Sequence, residues 1–169
     1  KAYDMMPDYI EARDALLYFI TTQDRFSEAE LIYRRAQEIA PDDAMPHYKL
    51  GVIFIRQARF LEAEASYRAA LVINPDFFEA HGNLGAVLQT LRRPVEAEAS
   101  FLRALTLNPD YLAARNNLSG LLNEQGRFSE AEASYRDALR IDQNVAHVHC
   151  GYGICLAAQG KMTTAEASL

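Results

Sequence analysis

The chain of 169 residues has no tryptophan, only two cysteines and no run of lysine or arginine. Each lack excludes something. Without clustered cations nothing can neutralise a phosphate backbone, and the formal net charge of -6 points the same way, so nucleic acid is not an expected partner. No stretch approaches the roughly 20 consecutive apolar residues that span a bilayer, so no membrane partner is expected either. The first residues lack the basic and apolar regions of a secretory leader. Cys150 and Cys155 are too few for a disulfide framework and, on a helix, would point about 140° apart. A reducing, cytoplasmic setting is the expectation. A glycine-rich phosphate loop, an HExxH pair and a Gly-x-Ser-x-Gly elbow are all missing, so neither enzymatic activity nor a cofactor is expected.

What the chain does have is repetition. Ala29, Ala63, Ala97, Ala131 and Ala165 stand 34 residues apart. Tyr33, Tyr67, Phe101 and Tyr135 keep the same period, as do Ala36, Ala70, Ala104 and Ala138, and Pro41, Pro75 and Pro109. Gly51, Gly85 and Gly153 fall on one phase of it. A fixed period of 20 to 50 residues marks one supersecondary unit stacked on its neighbours. Function then belongs to an extended surface and not to an enclosed pocket.

The unit 44–77 shows the local logic. His47, Leu50, Gly51 and Phe54 are spaced by three and four, one face of a helix. Ala58 and Arg59 break that pattern. Phe60, Ala63, Tyr67, Ala70 and Leu71 form a second stripe, which Asn74-Pro75 ends because proline lacks the N–H and crowds the preceding turn. First helices are predicted near 44–57, 78–91, 112–125 and 146–159, and second helices near 26–39, 60–73, 94–107 and 128–141. A glycine recurring at one helical phase predicts close approach of a neighbouring helix, with the aromatic phase filling wider gaps. Leu17 and Ser119 replace that glycine in two units, where helix contact should be looser or shifted. Pro94 should open a helix, and Gln143, in place of proline, should let its helix run longer.

Across Leu50-Gly51-Phe54…Ala63…Tyr67…Ala70…Pro75 and Leu84-Gly85-Leu88…Ala97…Phe101…Ala104…Pro109, the chain resembles the tetratricopeptide repeat, and it does so over essentially its whole length. The resemblance implies an all-α, right-handed α-solenoid of antiparallel helix pairs. The units are expected at 10–43, 44–77, 78–111 and 112–145, with 1–9 as the tail of a preceding repeat and 146–169 as a truncated one. Both ends then cut through a repeat, as in a segment of a longer array.

The remaining polar clusters have structural explanations. His47, His81 and His149 share one phase with Arg13 and Arg115, a half-buried packing position, so no metal is expected. The carboxylates Glu28/Glu30, Glu62/Glu64, Glu96/Glu98, Glu130/Glu132 and Glu166 open each second helix, where they favour the helix dipole. Arg34, Arg68 and Arg136 follow Glu30, Glu64 and Glu132 by four residues, which predicts a solvated, self-pairing outer face.

The resemblance also implies a concave groove lined by the first helices, along which a protein or peptide segment lies. By phase the groove begins at Asp14, Tyr18 and Thr21. It continues through Tyr48, Lys49, Val52, Ile55 and Arg56, then Asn83, Ala86 and Gln89, and then Asn116, Asn117 and Asn123. Asn83 and Asn117 share one phase, similar to the asparagine ladder of O-linked N-acetylglucosaminyltransferase arrays. A carboxamide donates to C=O and accepts from N–H at once, so it grips a backbone without reading side chains. Only Lys49 and Arg56 are basic, against Glu11, Asp14, Glu79 and Glu124, so a receptor for acidic tails is not expected. The expected function is a protein-interaction scaffold. One alternative is a non-catalytic, substrate-recruiting region of a larger bacterial enzyme such as a glycosyltransferase. The other is an array that self-associates through its open ends into homo-oligomers.

Overall fold

A computed structural model of the chain describes residues 25–160. The described residues form eight helices and no strand. They fall into two compact units divided between Ile73 and Asn74. The first unit holds α1 (Phe26–Ile39), α2 (Ala44–Arg56) and α3 (Phe60–Ile73); the second holds α4 (Phe78–Thr90), α5 (Pro94–Leu107), α6 (Leu112–Glu124), α7 (Phe128–Ile141) and α8 (Ala146–Ala158). The fold is the expected all-α solenoid type, built of antiparallel helix pairs.

Helix ends follow from a motif that also repeats. Arg59 N–H donates to Phe54 O at 2.8 Å, Arg93 to Leu88 O at 2.9 Å and Arg127 to Leu122 O at 2.9 Å, closing the first helix of each pair with a Schellman-type turn. That turn needs a left-handed residue just before the arginine, and Ala58 (φ 57°), Arg92 (φ 61°) and Gly126 (φ 74°) supply it; Gly160 (φ 74°) adopts the same conformation at the same phase. Second helices end on a carbonyl-bearing side chain. Asn74 Oδ1 accepts from Asp76 N–H at 3.1 Å, Asn108 Oδ1 from Asp110 N–H at 3.1 Å and Asp142 Oδ1 from Asn144 N–H at 2.9 Å. Because Asp142 makes the same turn, α7 stops at Ile141 and Gln143 does not lengthen it. Pro94 opens α5 as expected.

The core alternates tiny and bulky side chains. Ala63, Tyr67 and Ala70 are buried in the first unit, as are Ala97, Phe101, Ala104, Ala131, Tyr135 and Ala138 in the second. A Cβ on Gly51 would stand 2.6 Å from Tyr67 Cε1, and one on Gly85 2.6 Å from Phe101 Cδ1, so each ring lies where a side chain would be. In the second unit successive first helices pack on one another, α4 on α6 and α6 on α8, more closely than α5 and α7 do. Within the second unit the first helices thus make one tight layer.

Candidate functional site

The candidate surface is the face of those first helices. Tyr18, with Asp14 and Thr21, lies outside the described residues. In the first unit the Tyr48 ring packs 5.8 Å from Tyr67, tilted by 51°, and the Lys49 ammonium lies 5.9 Å from the Tyr48 centroid. Val52 and Ile55 are half-buried, whereas Arg56 is exposed and stacks its guanidinium 5.0 Å from the Phe26 centroid.

In the second unit Asn83, Ala86, Gln89, Asn116, Asn117 and Asn123 are all half-buried, a more recessed set than surface spacing suggests. Gln89 Nε2 donates to Glu124 Oε2 at 3.1 Å, tying α4 to α6. The Asn116 and Asn117 carboxamides make no hydrogen bond among the described residues, and the Asn123 carbonyl oxygen is buried without a partner. Among the described residues of the second unit, this face carries the carboxylates Glu79 and Glu124. Arg115 belongs to α6, but it turns toward the loop: Nη2 donates to Pro109 O at 2.6 Å, and Nη1 lies 3.6 Å from Asp137. The same phase caps loops elsewhere: His81 Nε2 donates to Pro75 O at 2.9 Å and His149 Nε2 to Gln143 O at 2.8 Å. His47 instead accepts at Nδ1 from Gln37 Nε2 at 2.8 Å. Spacing identified this phase as half-buried; the carbonyl it satisfies was not visible.

The expected outer face of solvated carboxylates needs correction. Its helical pairs do form, with Arg34–Glu30 at 2.8 Å, Arg68–Glu64 at 2.9 Å and Arg136–Glu132 at 2.8 Å. Yet Glu64 and Glu132 are buried, and within the second unit Gln159 Nε2 of α8's end donates to Glu132 Oε2 at 3.0 Å. Arg59 reaches back from the start of α3 to Glu30 at 2.6 Å, and Arg127 from the start of α7 to Glu98 at 2.7 Å. Each arginine also holds the carboxylate three residues ahead, Glu62 or Glu130. Burial alone would raise the Glu30 carboxyl, but hydrogen bonds from Arg59 and Arg34 outweigh it and hold the group below the ordinary value. Glu62 and Glu130 are lowered chiefly by their bonds to Arg59 and Arg127. Arg25, Arg59, Arg93 and Arg127 are themselves 34 residues apart, a legible signal that the reading of Arg59 as a break in pattern passed over.

Ser119 does shift its neighbour, as its place on the glycine phase predicts. It is 0% exposed, and its hydroxyl donates to Arg115 O at 2.8 Å and bonds Ser134 Oγ at 2.7 Å. With a side chain there, Tyr135 leans onto the next helix. A Cβ on Gly151 would lie 2.5 Å from the Tyr135 hydroxyl oxygen, and the Tyr152 ring is 6.1 Å away.

Tetratricopeptide-repeat family models match residues 46–77, 76–144 and 124–169. Among solved structures, Pseudomonas aeruginosa pilF is similar at 26% identity and TM-score 0.84, covering 94% of this chain and 73% of that one. MamA is similar at 19% identity and TM-score 0.80, with coverages of 96% and 89%. YrrB, a tetratricopeptide-repeat protein with an unusual peptide-binding site, is similar at 22% identity and TM-score 0.73, with coverages of 90% and 78%. No curated protein sequence is significantly similar to the chain.

Proposed function

We propose, for a chain that belongs to the tetratricopeptide-repeat family, that it is a protein-interaction scaffold whose first helices hold an extended polypeptide segment. The observation that carries this is the carboxamide file of the second unit. Asn83 and Asn117 occupy one phase of α4 and α6, Asn116 and Asn123 flank them, and the Asn116 and Asn117 amides make no hydrogen bond among the described residues. An amide offers one donor group and one acceptor, the complement of a peptide unit, so such a file suits main-chain recognition. The lining is neutral to acidic, which favours neutral or basic segments over acidic tails. The peptide-binding site of the structurally similar YrrB supports a polypeptide as the ligand class.

The test is the affinity of a bound peptide for Asn83→Ala/Asn117→Ala. Loss of two amide contacts should weaken it by about tenfold or more. Unchanged affinity would remove the assignment.

A further inference from the structure

The seam between α6 and α8 differs from the rest of the first-helix face. At the phase where α2 carries Lys49, α4 carries Asn83 and α6 carries Asn117, α8 has Gly151. At the phase of Val52 and Ala86, α6 has Gly120. Two side chains that would cover this seam are therefore missing, and both glycines are half-buried. Small residues alone would make only a dent. Here a second observation stands beneath them. The Tyr135 side chain rises from α7, 3% exposed, and ends its hydroxyl between the two glycines. That oxygen lies 2.5 Å from where a Gly151 Cβ would be and 4.0 Å from where a Gly120 Cβ would be; beyond the local helix, no other described residue stands within 4 Å of the Gly120 position. It makes no hydrogen bond among the described residues.

The Tyr135 ring is buried while its hydroxyl surfaces between the glycines with its hydrogen unspent on any described residue, which leaves a fixed donor open to an incoming acceptor. We infer that Gly120, Gly151 and Tyr135 form a subsite that admits a small residue of an extended polypeptide, whose main-chain carbonyl accepts from the Tyr135 hydroxyl. Burial, with Cys155, Cys150 and Glu124 nearby, pushes that phenol up to about 12, so it stays a donor throughout the physiological range. Gly120 and the Tyr135 tip, which fills the space at Gly151, set the size limit, because Gly120 without a Cβ lets a second backbone come close. A glycine, alanine or serine fits between them, whereas a large side chain meets the helix backbone. Glu124 is the nearest carboxylate to the Tyr135 hydroxyl, so an acidic residue is disfavoured at this point of the segment. The subsite rests on the peptide-binding reading above and adds to it one fixed position in the bound sequence.

The test uses the full chain and a display library of random dodecapeptides. Peptides selected on the unaltered protein should share a small residue at one position. Tyr135→Phe keeps the ring and removes only the hydroxyl, and it should weaken those peptides about three- to tenfold. Gly120→Ala introduces a methyl only where space is open. It should preserve or raise the melting temperature, since alanine is the better helix former, while weakening the same peptides at least as much. If both variants bind like the unaltered protein while Asn83→Ala/Asn117→Ala is weakened, the subsite is wrong and the groove stands. If the asparagine variant also binds normally, or no peptide is selected, both assignments fall.

Discussion

Phe101 occupies the space that Gly85 leaves: a Cβ at position 85 would be 2.6 Å from both Cδ1 and Cε1 of the ring. The ring is 0% exposed and cannot swing into solvent. Gly85→Ala should therefore lower stability by about 1–3 kcal/mol as the ring is forced aside, although alanine is intrinsically the better helix former by about 1 kcal/mol. Chemical denaturation of the two proteins measures the difference. A neutral or stabilising result would show that the ring has room to move.

The left-handed residues predict the opposite effect from glycine. Ala58 and Arg92 adopt the positive φ that Gly126 and Gly160 adopt at the same phase. A residue with a Cβ costs about 1–2 kcal/mol in that conformation. Ala58→Gly or Arg92→Gly should stabilise by about 1 kcal/mol, roughly 2–4 °C in melting temperature. Gly126→Ala should destabilise by a similar amount, and since nothing lies within 4 Å of its Cβ position, the cost is all backbone.

Stability should fall in acid, in two stages. Burial holds the His47 ring below its ordinary value against an opposing pull from Asp43, and Gln37 bonds the neutral form. The unfolded chain therefore takes up this proton first as pH falls through about 6.5, and the folded state loses ground. Glu30, Glu62 and Glu130 are lowered in the folded protein, so their stabilisation is complete above about pH 4.3 and lost as pH drops through their folded values. Melting temperature should decline gently below pH 6.5 and steeply below 4.3. Arg59→Gln should shrink the second step, because Glu30 and Glu62 would lose their shared donor. A melting temperature flat down to pH 3 would contradict the arginine account.

How much of this could be read beforehand varied with the kind of signal. The second helices follow from apolar stripes and proline stops, and all four lie where the spacing puts them. The first helices end one residue early, since Gln57, Leu91, Gln125 and Gln159 serve as caps before the left-handed turn. That turn hides in the sequence because alanine and arginine occupy it twice. Gly51 and Gly85 announced their contacts by periodicity alone. Gly120 and Gly151 did not, because each is a departure from its phase and acquires meaning only from the tilt that Ser119 imposes on Tyr135. The burial of Glu64 and Glu132 was likewise hidden: a helix wheel shows their arginine four residues on, not how little of each carboxylate is left exposed.

The central claim is that the first-helix face receives a polypeptide. Its most direct test is the change in backbone amide resonances when a selected peptide is titrated into the isotope-labelled chain. The account predicts that shifts concentrate on Asn83, Asn117, Gly120 and Gly151, across α4, α6 and α8. Shifts confined to the second helices, around Val95, Leu102 and Arg103 of α5, would contradict it.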